Sequence, residues 1–155
     1  FQCPSCALFH FGAGNAIIEE YVKKGLARIV YKDFPFLGEE SFNAAYAARC
    51  ANEQSKFFEY KSHLFSQQIK SNTENSQIFS FSRLSDFAGE VGMNKNLFES
   101  CLSANKYKDA VVKDLEDGKA AGVVATTTIF INGQKMEGSM AFESYQKVIE
   151  EELKK

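Results

Sequence analysis

The chain has no tryptophan, two histidines, and a formal charge of only −2 across 155 residues. Each shortage closes off a class of function. A near-neutral, slightly acidic balance argues against a nucleic-acid partner, because surfaces that grip phosphate backbones are strongly basic. No apolar run approaches the roughly 18 residues that a membrane-spanning helix needs. Internal repeats and low-complexity stretches are missing too. His10 and His63 are the only imidazoles and lie far apart, which offers little to a metal ion. Four cysteines are too few for a disulfide-rich mini-domain, yet more than a cytosolic chain of this length usually carries.

What is present suits one packed domain. The chain is 45% hydrophobic and 25% charged, with 15 Phe and 6 Tyr supplying aromatic bulk. Helical periodicity begins at Cys6–Val22, where Gly12 and Gly14 predict a kink and Gly25 a stop. The run "ARIVYKDFPF" reads as a strand over Ala27–Phe34, bounded by Pro35. Residues 39–70 then read as two helices, and three shorter ones follow, ending near Gly92, near Ala104 and near Gly122. Between them, residues 71–77 (SNTENSQ) read as a surface loop. "TTTIFING" is β-branched and aromatic, and Asn132-Gly133 is a strong hairpin signal. The last helix carries Phe142, Tyr145, Val148, Ile149 and Leu153 on one side. The element order implies an α/β layer with a helical insertion.

The chemistry is concentrated at the start, in "FQCPSC". Two cysteines at i and i+3 opening a helix place the first where unpaired N–H groups and the macrodipole favour an anion. Thiols in such positions can have pKa values of about 3.5–7. Cys3 is the candidate nucleophile, more exposed than its partner. Cys6, one turn further in, is placed to close or resolve a disulfide. Pro4 suits the first turn because the N–H it lacks would go unpaired there. A zinc half-site and an inert structural disulfide are the competing readings. Neither Cys50 nor Cys101 forms a second knuckle, so no metal site is expected.

With "YKDFPF", "AARCANEQSKFFEYKSHLF" and "GVVATTTIFINGQKMEG" added to CPSC, the chain resembles thioredoxin-fold proteins of the DsbA type over nearly its whole length. The resemblance implies a single domain over residues 1–155. Its thioredoxin-like parts would be about 1–37 and 122–155, and its helical insertion about 38–121. It implies a thiol–disulfide oxidoreductase that needs no cofactor, with Cys3 and Cys6 as the catalytic pair and Pro4 and Ser5 as the tuning dipeptide. It implies further that Thr126 and Thr127 form the loop that pairs with substrate backbone. The family normally has a cis-proline where this chain has Thr127. The strand that feeds the CPSC helix in this fold would lie centrally, between 27–34 and 128–131, with Phe1-Gln2 as its last stub. The expectation is therefore an upstream strand outside the chain, or one supplied by another chain.

The same resemblance implies an extracytoplasmic setting, periplasmic or beyond the membrane, with a signal or anchor segment outside the chain. Partners would be unfolded or reduced exported proteins and a membrane or soluble redox partner that resets the pair. A monomer is expected. Two other functions stay open: a reductase or isomerase on the same fold, and a non-catalytic module that binds peptides or a metal. Cys50 and Cys101 read either as two buried thiols or, since similar proteins often carry both, as a structural disulfide. His10, near the Cys3 face of its helix, reads as a packing residue or a modifier of the thiolate. His63 reads as structural.

Overall fold

The computed structural model describes residues 1–71 and 77–155, so most of the loop read at 71–77 lies outside the described residues. Ser71 itself ends a helix. The chain divides into two compact units: Phe1–Gln2 with Lys32–Ala121, and Cys3–Tyr31 with Gly122–Lys155.

The second unit begins with α1 (Pro4–Phe9), which runs on through a π-helical turn at His10–Gly14, α2 (Asn15–Ile17) and a second π-helical turn at Ile18–Val22. The kink falls at Gly12, whose φ of −99° and ψ of −109° leave the helical region. Gly14 has a different role: a Cβ there would come within 2.8 Å of the Phe9 carbonyl oxygen, so the helix tolerates no side chain at that turn. Gly25, at φ +71°, ends the run. The Leu26 N–H then reaches back to the Tyr21 carbonyl at 2.9 Å, satisfying an acceptor the helix end leaves open.

β1 (Thr128–Ile131) and β2 (Gln134–Glu137) pair antiparallel with Ile131 opposite Gln134. That register leaves Asn132 and Gly133 as a two-residue loop, both at positive φ (47° and 87°), which matches the twist of the flanking strands. α8 (Phe142–Glu152) closes the unit. Its Tyr145 and Ile149 are buried with Phe9, Ala13, Ile17 and Tyr21, and Ile129, Ile131 and Met136 pack against that cluster. Leu153 departs from the expected face: it lies past the end of α8 and is 47% exposed.

Among its described residues, the regular elements of the first unit are helices: α3 (Glu39–Glu53), α4 (Phe57–Ser71), α5 (Phe81–Glu90), α6 (Lys95–Ser103) and α7 (Lys108–Ala120). Ser55, at φ 57°, turns the chain between α3 and α4. A row of alanines (Ala44, Ala47, Ala48, Ala51) lets neighbouring helices approach α3, and Tyr60, Leu64, Phe79, Leu84, Phe87 and Phe98 fill the core around it. The buried Tyr60 hydroxyl donates to the Leu84 carbonyl at 2.8 Å, so its polar tip is not left unsatisfied.

The strand read at Ala27–Phe34 is not formed. Among the described residues the sheet consists of β1 and β2 alone. Strand propensity becomes a strand only when a neighbour accepts the ladder hydrogen bonds, and among the described residues no strand pairs with this segment. Phe1-Gln2 forms no strand end either. The Phe1 ring packs instead on Phe65, with centroids 5.1 Å apart.

Side chains hold residues 32–34 in place of a ladder. The Asp33 N–H donates to Asp114 on α7 at 3.2 Å, and Lys32 pairs with the same carboxylate at 2.7 Å. The Phe34 ring lies where a Cβ on Gly118 would be, 2.7 Å from that position. Arg49 on α3 completes the cluster, bonding Asp33 at 2.6 Å and also Asp114, which is nearly buried. Burial pushes the Asp33 carboxyl up and Arg49 pulls it down. Replacing Arg49 by leucine should therefore leave two carboxylates close together without their shared cation. The expected cost is about 2 kcal/mol, reduced from the fully buried case because the guanidinium is partly exposed, and chemical denaturation measures it.

Candidate functional site

Cys3 stands at the N-cap of α1, with extended backbone (φ −77°, ψ 118°) and Pro4 directly after it. Its carbonyl accepts the Ala7 N–H at 3.3 Å, so the first turn closes behind the thiol. Cys3 and Cys6 are both free thiols, partly buried, with Cys6 the deeper of the two. The Ser5 Oγ is 3.1 Å from the Cys3 Sγ.

These contacts separate the two thiols in acidity. The Cys3 pKa is pulled from an ordinary 9.0 to about 4, first by the hydrogen bond from the Cys6 thiol and then by the Ser5 hydroxyl, against the opposing effect of burial. Cys6 is pushed up, because it is the donor in that bond and because it is buried. At neutral pH the pair therefore holds one thiolate, on the outer sulfur, and one thiol behind it. That is the division of labour a nucleophile and a resolving thiol require.

The acidity difference has a consequence for stability. Between about pH 4 and 9 the unfolded reduced chain keeps a proton on Cys3 that the folded chain has released. Stability of the reduced form should thus rise with pH through that window, and be lost as pH falls toward 4. With Cys3 and Cys6 joined in a disulfide there is no thiol to titrate, so this contribution disappears. Thiolate absorbance against pH should show a midpoint far below 9.0, and denaturation of the reduced and oxidised forms should diverge as pH rises. A single thiol transition near 9 would overturn this.

The loop before β1 supplies the other side of the site. Thr126 and Thr127 are joined by a cis peptide bond. The Thr126 carbonyl oxygen lies 3.6 Å from the Cys3 Sγ and 3.5 Å from the Ser5 Oγ, so this loop faces the Cys3 sulfur. The Thr127 carbonyl accepts the Gly138 N–H at 2.7 Å and is already used in tying the loop to the end of β2. The Thr127 hydroxyl donates to the Cys6 Sγ at 3.2 Å.

The Ser5 hydroxyl thus bears on Cys3 and the Thr127 hydroxyl on Cys6. Ser5 was legible only as half of a dipeptide, and its approach to Cys3 follows from the i, i+2 spacing across the N-cap. The contact of Thr127 with Cys6 spans 121 positions and has no local signal. His10, by contrast, is buried in the kinked helix with its ring beside Phe11 at 4.6 Å, as a packing residue would be. His63 pairs with Glu90 at 2.9 Å within the helical unit. Cys50 on α3 and Cys101 on α6 are joined in a disulfide, with Cα atoms 5.9 Å apart. Among the described residues no three His, Cys, Asp or Glu side chains gather as metal ligands would. No helix among them is long and apolar enough to cross a membrane.

A family model described as thioredoxin matches residues 1–151. A protein of Bacillus cereus named "Probable disulfide bond formation protein D" is 26% identical over 158 residues, covering all of this chain and 71% of its own length. Among solved structures, oxidised BdbD of Bacillus subtilis superposes with a TM-score of 0.89 at 24% identity, over 99% of this chain and 83% of that one. The α-DsbA1 of Wolbachia pipientis gives a TM-score of 0.80 at 21% identity, over 98% and 81%. The architecture is therefore the thioredoxin-like α/β fold with its helical insertion.

Proposed function

The chain belongs to the thioredoxin family, whose model spans residues 1–151, and from this premise we propose that it is a thiol–disulfide oxidoreductase that donates disulfides through Cys3 and Cys6. The observation that carries the reading is the Cys3 sulfur at a helix N-cap, with the Cys6 thiol and the Ser5 hydroxyl both donating to it. The relative named for disulfide bond formation, aligned along the whole chain, supports the same activity.

The chemistry balances within four sulfurs. A substrate thiolate attacks the Cys3 Sγ of the oxidised pair. A mixed disulfide forms, the Cys3–Cys6 bond breaks, and Cys6 leaves as a thiolate. A second substrate thiolate then attacks the substrate sulfur of the mixed disulfide and expels Cys3 as a thiolate. The substrate has lost two electrons and the pair has gained them. Because the Cys3 thiolate is stabilised only in the reduced form, reduction of the pair is favoured and its disulfide is readily given away.

Substrates on this reading are reduced or unfolded exported proteins, and a membrane or soluble redox partner takes the two electrons back. The setting is extracytoplasmic, where the Cys50–Cys101 disulfide would also persist. Equilibration against glutathione, following the Cys3–Cys6 state, is the test. A potential near about −120 mV supports donation, whereas one near about −270 mV identifies a reductase. No reversible exchange at all would leave a binding module.

A further inference from the structure

One hydroxyl in the site has no role in holding the Cys3 thiolate. Thr127 is only 6% exposed, and its Oγ1 lies 3.2 Å from the Cys6 Sγ and 3.4 Å from the Ser5 Oγ. Its single hydrogen can serve one acceptor at a time. When Cys6 is a neutral thiol the two acceptors compete on similar terms. When Cys6 carries charge, its sulfur becomes much the stronger acceptor.

We propose that Thr127 is a catalytic residue whose hydroxyl donates to the Cys6 sulfur and stabilises the charge that gathers there as Cys6 leaves. This rests on the donor reading above and adds a residue to its first step. In that step the substrate thiolate bonds to the Cys3 Sγ, the Cys3–Cys6 bond breaks, and the electron pair of that bond goes to Cys6. The proton that later neutralises Cys6 comes from solvent.

The state of Cys3 makes the hydroxyl matter at that moment. In the free reduced protein, Cys6 is held protonated by its bond to the Cys3 thiolate, by burial and by the charge on Cys3. Once Cys3 is tied to substrate it has no charge, so the first and third of these vanish. Burial remains as the opposition, and the Thr127 hydroxyl is a donor already in place against it. A preformed donor aimed at a developing charge in a site shielded from water costs no reorganisation when the reaction occurs. By microscopic reversibility, the same bond assists Cys6 when it attacks Cys3 to expel a bound substrate.

The test separates the hydroxyl from the side chain's shape. In a Cys3→Ala background Cys6 titrates without its partner. There Thr127→Val should raise the Cys6 thiol pKa by about one unit, equivalent to about a tenfold loss of thiolate stabilisation, and Thr127→Ser should restore it. In the full pair, stopped-flow capture of a single-cysteine peptide by the oxidised protein should slow about threefold with Thr127→Val, because the leaving sulfur carries part of its charge in the transition state, and recover with Thr127→Ser. An unchanged Cys6 titration in the valine variant overturns the assignment, whatever the rates. So does slowed capture in valine and serine variants alike, since that reports packing and not a donor. Should the unmodified protein itself fail to exchange with the peptide, the donor reading falls, and the Cys6 titration still decides whether the hydroxyl acts on the sulfur.

Discussion

Replacing Cys3 by serine should abolish disulfide transfer, and replacing Cys6 by serine should convert the protein into a trap. The first loss is complete because a serine oxygen cannot enter the sulfur-to-sulfur exchange by which the disulfide moves. It removes, moreover, the thiol placed at the helix N-cap and held ionised by its neighbours. The second variant keeps that nucleophile. Mixed with a substrate disulfide, it forms a covalent adduct through Cys3 and then has no internal thiol to resolve it. Non-reducing electrophoresis against a reduced and an oxidised model substrate reads both outcomes. Adducts should accumulate with Cys6→Ser and be absent with Cys3→Ser. Were Cys3→Ser to retain transfer, or adducts to form through Cys6, the assignment of nucleophile and resolving thiol would be reversed or lost.

The second large effect lies in the helical unit. Replacing Cys50 and Cys101 together by alanine releases a cross-link between α3 and α6 whose ends are 51 positions apart. In the chain-entropy model, opening a loop of that length destabilises the fold by about 4 kcal/mol, a large fraction of the roughly 5–15 kcal/mol that holds a domain together. The midpoint of urea unfolding should fall accordingly. The N-cap position of Cys3 and its bond with Ser5 involve no atom of this disulfide, so the low Cys3 pKa should survive in the variant wherever it remains folded. Thiol titration in the absence of denaturant checks that separation. A loss of only a few tenths of a kcal/mol would mean that the packing of Tyr60, Phe87 and Phe98 between the helices already restricts the unfolded chain, or that entropy is not the source of the effect.

Much of this molecule is written in short-range patterns. The CPSC pair, the helix it opens, the kink near Gly12, the stop at Gly25 and the turn at Asn132-Gly133 each depend on residues within a few positions of one another. A cap, a glycine conformation or a two-residue loop is decided by local sterics and backbone hydrogen bonds, so the sequence by itself determines them. The helix periods of α3 to α8 were legible for the same reason, since apolar residues three and four apart must share a face.

What depended on partners was not legible. Ala27–Phe34 has the composition of a strand, but composition cannot supply a neighbour, and residues 32–34 are held instead by Asp114, Arg49 and the space above Gly118. Leu153 fits the helical face by period and lies outside the core because α8 ends before it. Cys50 and Cys101 could be read as free or paired until α3 and α6 were brought together. The site divides along the same line. Cys3, Ser5 and Cys6 are adjacent in sequence, whereas the carbonyl of Thr126 and the hydroxyl of Thr127 reach the sulfurs from more than 120 residues away. Local chemistry set the acidity of Cys3, through Cys6 and Ser5; only tertiary structure, by setting which buried groups face one another, brought a hydroxyl to Cys6.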